Sequence, residues 1–255
     1  MPKFAANLTM LFNEVGFLER FDAAGKAGFK GVEYLFPYDF KPDEIVAKLK
    51  ANNLTQVLHN LPAGNWGGGE RGIAVLPDRT DEFKAGVDKA IEYATALGCK
   101  QVNCLAGIAK DVDPKQAHAT FVSNLKFAAP KLKAAGIKLL IEAINTRDIP
   151  GFFLTSTKQA LAVIDEVGSD NLFVQYDIYH MQIMEGDLAR TIEANLPKIA
   201  HIQLADNPGR NEPGTGEINY PFLFDFIDKT GYAGWIGCEY KPKGETVAGL
   251  GWLPK

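Results

Sequence analysis

The chain has 255 residues with 27 basic and 31 acidic side chains, a formal net charge of −4, 46% hydrophobic residues and 23% charged ones. That composition is ordinary for a globular core, and the length suits one eight-fold α/β barrel, which typically takes ~250 residues. Acids and bases are scattered without a basic stripe, and no apolar run approaches the ~20 residues of a membrane span, so neither nucleic-acid nor membrane binding is expected.

Cys99, Cys104 and Cys238 are an odd number without metal-like spacing, each in an apolar setting, and read as reduced, buried thiols. The opening MPKFAANLTMLF has no basic region followed by a long apolar run and a small-residue cleavage site. A reducing cytoplasm is the expected compartment.

In chain order, Phe4–Leu11 reads as a first strand, followed by an amphipathic stretch from Phe17 to Ala27 that stops at Gly28. Gly31–Leu35 is the second strand, and Pro42–Ala51 a helix with proline in its first turn. Leu54–Leu61 is the third strand. The glycine-rich loop after it, from Pro62 to Arg79, is too long for a plain connection. Asp81–Leu97 is a helix ended by Gly98, Gln101–Ala106 a strand, Pro114–Ala135 a long helix ended by Gly136, and Lys138–Ala143 the fifth strand. Ser156–Val167, Leu172–Asp177, Asp187–Asn195, Ile199–Ala205, Tyr220–Lys229 and Trp235–Tyr240 continue the alternation, and the tail from Gly244 to Trp252 supplies a short last helix.

Short apolar runs separated by helices argue for a parallel sheet, and eight such pairs close a (β/α)8 TIM barrel without remainder. A doubly wound open sheet is the alternative, but LTMLFNEVGF lacks the glycine-rich turn that usually follows its first strand. No linker is evident, and a single domain spanning 1–255 is expected.

A barrel places its chemistry at the C-terminal ends of the strands. Those ends carry His59 and Asn60 on the third strand, Glu142 on the fifth, Asp177 on the sixth, Gln203 on the seventh and Glu239 on the eighth. Each of the last four interrupts an apolar run: KLLIEA, LFVQYD, IAHIQLAD, WIGCEY. Like charges brought together in a buried place cost several kcal/mol without a cation. A structural ring of salt bridges is the alternative to a metal. Glu142, Asp177, Gln203 and Glu239 together offer only oxygen, which favours Mg2+ or Mn2+ over zinc. Such an ion polarises a carbonyl and an adjacent hydroxyl. Glu142 and Glu239, on separate strands, could then serve as acid and base on neighbouring carbons.

Weaker candidates ring the mouth. His180 lies three residues beyond Asp177 and could bond a substrate oxygen. Arg210, in the loop ADNPGRNEPGTGEINY, and Lys241, two residues after Glu239, are candidate carboxylate anchors. Glu70 and Arg71 form either a lid or a solvent-exposed pair.

These residues resemble the hydroxypyruvate isomerase family, a branch of the xylose-isomerase-like barrels. The similarity runs over nearly the whole chain, through FAANLTMLF, GVEYLFPYDF, HNLPAGNWGGGERGIA and GCEYKP. It is most specific in IEAINTRDIPGF, QYDIYHMQ and HIQLADNPGRNEPGTGEINY. The resemblance implies Glu142 and Glu239 as proton donor and acceptor. By similarity to metal-binding relatives it also implies ligation by Glu142, Asp177, Gln203 and Glu239. The reaction so implied converts hydroxypyruvate to 2-hydroxy-3-oxopropanoate, a small hydroxycarbonyl acid. A homo-oligomer is compatible with the sequence.

Gln203 stands where ketose 3-epimerases of the same superfamily usually carry histidine, and a similar branch isomerises 2-oxo-tetronates. His59 with the following NLPAG looks more like the hydroxypyruvate branch. An AP-endonuclease-like repair enzyme would need many histidines; this chain has four, with His118 inside a helix away from the strand ends. A catalytically silent sugar-acid binding protein would not need both glutamates.

Overall fold

The computed structural model describes residues 2–253. Its strands are β1 (Lys3–Asn7), β2 (Gly31–Glu33), β3 (Thr55–Asn60), β4 (Gln101–Cys104), β5 (Lys138–Glu142), β6 (Leu172–Asp177), β7 (Ile199–Leu204) and β8 (Trp235–Cys238). They pair in sequence order, all parallel, and β1 closes on β8. The expected closed (β/α)8 barrel is therefore the observed one, not the open sheet.

Around it lie α1 (Phe17–Lys26), α2 (Pro42–Ala51), α3 (Thr80–Leu97), α4 (Pro114–Ala134), α5 (Thr157–Val167), α6 (Ile178–Met184), α7 (Leu188–Asn195) and α8 (Tyr220–Lys229). The helix starts follow local chemistry. Asp113 caps α4 by accepting from the backbone N–H groups of Lys115 and Gln116, with Pro114 in the first turn, and Ser156 caps α5 through Gln159 N–H. The longer helices turn apolar stripes toward the strands, such as Phe21 and Ala24 on α1 or Val163, Ile164 and Val167 on α5.

Several strands are one or two residues shorter than the sequence-based reading at an end, and two elements differ more. β1 ends at Asn7 and not at Leu11, because Asn7 itself makes a turn: its Oδ1 accepts from Thr9 N–H and its carbonyl from Leu11 N–H. α6 was not expected, since it starts on the residue after β6 with no loop between; Asp177 closes the strand and caps the helix at once. The tail beyond residue 243 forms a 3-10 turn, Val247–Trp252. Cys99, Cys104 and Cys238 are free and buried, and among the described residues no helix is long and apolar enough to cross a membrane.

The main core fills the space between strands and helices. The barrel interior is different. A small apolar plug of Ala5, Val57, Leu58 and Leu140, with Phe173, Ala200 and Trp235 against it, occupies the end where the strands begin. Above it comes a polar layer. Glu33 accepts from Asn7 Nδ2 (3.0 Å), His201 Nε2 (2.7 Å) and Gln203 Nε2 (2.8 Å), and Gln203 Oε1 accepts from Gln175 Nε2 (2.6 Å).

Gly237 on β8 makes room for this layer, since a Cβ there would overlap the Glu33 carboxylate, which three hydrogen bonds hold in place. Gly237→Ala is therefore expected to destabilise the fold by about 1–3 kcal/mol, the usual cost of overpacking a well-packed interior. Chemical unfolding of the two proteins side by side checks this; an unchanged midpoint would mean that the Glu33 layer yields easily.

Candidate active site and metal centre

Glu142 ends β5, Asp177 ends β6 and Glu239 directly follows β8, so three strands deliver carboxylates to one end of the barrel. All three are at most 5% exposed. With His180 from α6 they form a cluster whose ligand-capable atoms lie within 4.8 Å of one another.

Each carboxylate is held differently. Asp177 Oδ1 accepts from Tyr179 N–H (2.7 Å) and His180 N–H (3.3 Å), which is the cap of α6. Its other oxygen, Oδ2, is buried without a hydrogen-bond partner, 3.6 Å from His180 Nε2 and 3.9 Å from Arg210. Glu142 Oε2 accepts from Asn103 Nδ2 at 3.0 Å, and Oε1 lies 4.0 Å from His180 Nε2. Glu239 Oε1 accepts from Asn7 Nδ2 (3.2 Å) and Oε2 from the Arg210 guanidinium (2.6 Å).

Arg210 reaches the cluster from the loop after β7. Asp206 builds that loop by accepting from the backbone N–H groups of Asn207 (3.0 Å), Gly214 (2.9 Å), Gly216 (2.9 Å) and Ile218 (3.1 Å). The Arg210 side chain is 15% exposed, lies 3.4 Å from Asp148, and sits 5.1 Å over the Tyr179 ring. Its backbone takes φ +54°, a left-handed conformation costly for a side chain as large as arginine.

Electrostatics follow from burial. Glu142 is pushed well above the usual carboxylate range by burial, then by Glu239 and Asp177 beside it. Glu239 is also raised, chiefly by burial, although Arg210 pulls it down. Burial works against the Arg210 charge too, but Glu239 and Asp177 outweigh it. His180 is lowered to about 4, mainly by burial, and is neutral at physiological pH. Were all three buried carboxylates ionised, the single guanidinium beside them, which Asp148 also approaches, would leave the cluster net negative. A divalent cation would offset that charge, and the orphaned Asp177 Oδ2 offers it a ready lone pair. The residues present fit a metal.

The remaining sequence candidates have other partners. Gln203 lies on β7 opposite Asp177 in the ladder, with its amide engaged by Glu33 and Gln175; only the second lone pair of Oε1 is left for an ion. His59 packs edge-on against Tyr38, with Nδ1 at 3.1 Å from the Asn60 carbonyl and 3.4 Å from the Tyr38 hydroxyl. Its neighbour Asn60 pairs with Asn103 in the ladder and so shares the face that carries the Glu142 partner. Glu70 pairs with Arg79 at 2.7 Å and accepts from Asn65 N–H, while Arg71 stacks on Trp66 at 4.3 Å. Lys241 is exposed and joins the Arg210 loop through its backbone, donating to the Arg210 carbonyl at 2.7 Å.

Asn7, Glu33, Asn103 and Asn145 were not singled out by sequence reasoning, yet all touch the cluster or its support. Glu33 gave the same signal as the others, a charge closing an apolar strand in KGVEYL. The asparagines gave none beyond their place at or just past strand ends.

The xylose isomerase-like TIM barrel family model matches residues 21–255. The chain belongs to that family. It is 56% identical to hydroxypyruvate isomerase of Escherichia coli strain K12, over 99% of this chain and 98% of that one. It is 50% identical to 2-oxo-tetronate isomerase of Cupriavidus necator, again over 99% and 98%. The crystal structure of AP endonuclease, family 2 from Brucella melitensis superposes with a TM-score of 0.97 at 49% identity, over 99% of this chain and 98% of that one. Within the family, then, the isomerases among these relatives share this chain from end to end.

The raised carboxylates carry a sign that can be checked. Without a cation, Glu142 and Glu239 keep protons in the folded chain at pH values where the unfolded chain, with ordinary values of 4.5, has lost them. Over that interval the folded state binds more protons, so stability falls as pH rises. Chelated protein is expected to lose thermal stability between about pH 5 and pH 8. An added divalent cation should restore it most strongly at the upper end, because ligation favours the ionised carboxylates. Glu142→Gln should flatten the slope; a slope unchanged in that variant would assign it to other groups.

Proposed function

We propose that this isomerase interconverts hydroxypyruvate and 2-hydroxy-3-oxopropanoate by moving a proton between neighbouring carbons. The observation that carries the reading is the pair Glu142 and Glu239, buried at the ends of β5 and β8 in one cluster at the C-terminal mouth, in a chain 56% identical to a hydroxypyruvate isomerase over 99% of its length. Glu142, Asp177 and Glu239 would hold one Mg2+ or Mn2+, with Gln203 as the fourth oxygen ligand. When bound, the ion would supply Lewis-acid polarisation of the substrate carbonyl and hydroxyl oxygens.

The chain's own groups do the rest. Arg210 at 2.6 Å favours the ionised form of Glu239, which suits it to take a proton from C3 of hydroxypyruvate. The hydroxyl proton passes from O3 to O2, and Glu142 delivers a proton to C2, so the enediolate resolves to the aldehyde. In the reverse direction the two glutamates exchange roles. His180 and Arg210 face the same space and are the proposed contacts for substrate oxygens and carboxylate. Burial of the cluster keeps water from competing for these bonds.

A second substrate, a 2-oxo-tetronate, is favoured by the 50% identity to the Cupriavidus necator isomerase and needs the same carbon chemistry on a longer acid. Comparing kcat/KM on the two acids decides between them. A nuclease reading finds less support, because the buried cluster has one histidine and the chain is net acidic. Three buried free thiols suit the reducing cytoplasm.

Stripping the metal should abolish turnover and Mg2+ or Mn2+ should restore it, while Asp177→Asn should weaken metal affinity by removing a charge from an oxygen-rich site. Full activity in verified metal-free protein would sink this assignment. Because one glutamate removes a proton and the other supplies a different one, reaction in D2O should place deuterium at C2 of the product. Glu142→Gln and Glu239→Gln should each lose ~10²–10⁴-fold in kcat, with bound metal measured in both. A product free of solvent label, made by a Gln variant that keeps its metal and near-normal kcat, would refute the two-glutamate shuttle.

A further inference from the structure

Asn145 follows β5 by three residues and is fully buried. Its Oδ1 accepts from the backbone N–H groups of Arg147 (3.0 Å) and Asp148 (2.8 Å). Only the oxygen of an amide can accept, so the orientation is settled by the backbone and Nδ2 must face the other way. There it meets Nδ1 of His180 at 2.6 Å, and the backbone N–H of Asn145 approaches the same nitrogen at 3.4 Å. Both groups are donors without a lone pair, and Nδ1 can receive them only when it carries no proton. The one ring proton therefore sits on Nε2, which points between Asp177 Oδ2 (3.6 Å) and Glu142 Oε1 (4.0 Å).

We propose that Asn145 is a positioning residue that locks His180 in the Nε2–H tautomer, making it a fixed hydrogen-bond donor to a substrate oxygen and removing it from the set of metal ligands. A nitrogen that carries a proton has no lone pair for a cation, so the histidine that lies within ligand range of three carboxylates is chemically the wrong partner for their ion. It is the right partner for an oxygen that gains negative charge as the carbon-bound proton leaves, because a donor held in place needs no reorganisation at that moment. The kinetic part of this inference rests on the proposed isomerase reading; the tautomer itself does not.

The test is the nitrogen NMR spectrum of ring-labelled protein, with His180→Gln used to identify the His180 signals among the four histidines. In the wild type, Nδ1 should resonate as a bare nitrogen and Nε2 as a protonated one. A protonated Nδ1 overturns the proposal whether or not hydroxypyruvate is turned over. In Asn145→Asp one carboxylate oxygen keeps the two backbone N–H groups, and the other, which can only accept, faces Nδ1 and draws a proton onto it. That variant should show a protonated Nδ1 and lose about 10–100-fold in kcat/KM on hydroxypyruvate, mostly in kcat, the usual cost of disturbing a histidine's orienting partner. A folded Asn145→Asp protein with the new tautomer and turnover within twofold of wild type overturns the catalytic role. Should that variant not fold, the wild-type spectrum still decides the lock. A wild type inactive on hydroxypyruvate, with the lock confirmed, would count against the substrate and not against Asn145.

Discussion

Three carboxylates share one buried space, and their mutual repulsion is the constraint around which the mouth of this barrel is arranged. Two unit charges about 4 Å apart interact by roughly 4 kcal/mol at the effective dielectric of a protein interior. That is comparable with the net stability of a domain, so the group cannot persist on packing alone. Strand geometry does the assembling: Glu142, Asp177 and Glu239 are carried by backbone whose ladder bonds to neighbouring strands fix where each side chain starts. Charge compensation is then divided between protons, Arg210 and a site suited to a divalent cation.

Arg210 shows how far the chain goes to supply the part of that compensation it can encode. It holds a backbone conformation unfavourable for a bulky side chain, and the surrounding loop over-determines it. Asp206 gathers four backbone donors from both arms of the loop, and Gly216 packs so closely on the Asn207 carbonyl that no Cβ would fit. The Lys241 backbone ties the far side of the loop to the exit of β8. Strain at one residue is thus offset by hydrogen bonds spread over its neighbours, and the guanidinium arrives next to Glu239 already ordered.

The order of strands and helices was legible because apolar runs, helix caps and terminal glycines agree with one another over the whole chain. Charges that close apolar strands pointed to Glu142, Asp177 and Glu239, and the barrel brings these three side chains together. What stayed hidden depended on partners distant in sequence. His59 and Asn60 alternate faces, and the β2–β3 ladder shifts register between Val32 and Glu33, so the sequence alone did not decide which of the two would join the inner face. Helix α6 was invisible because Asp177 is at once the last residue of a strand and the cap of the helix. Asn145 looked like a loop residue, since its significance lies in a contact with His180, 35 positions away.

The polar layer beneath the carboxylates needs its own explanation. A barrel interior is commonly filled by layers of branched apolar side chains, and here only the lower plug follows that habit. Replacing a buried polar network such as the one joining Glu33 to His201 with apolar groups of similar volume is often neutral or stabilising, so stability is a poor reason for its presence. Its connections suggest another reason. Through Asn7 the Glu33 carboxylate is one hydrogen bond removed from Glu239, and directly it fixes which end of the Gln203 amide faces downward. An apolar layer would leave Glu239 with Arg210 alone and Gln203 free to rotate. The layer therefore trades packing for orientation, and Gly237, by giving up its own side chain, is the residue on β8 that makes the exchange fit.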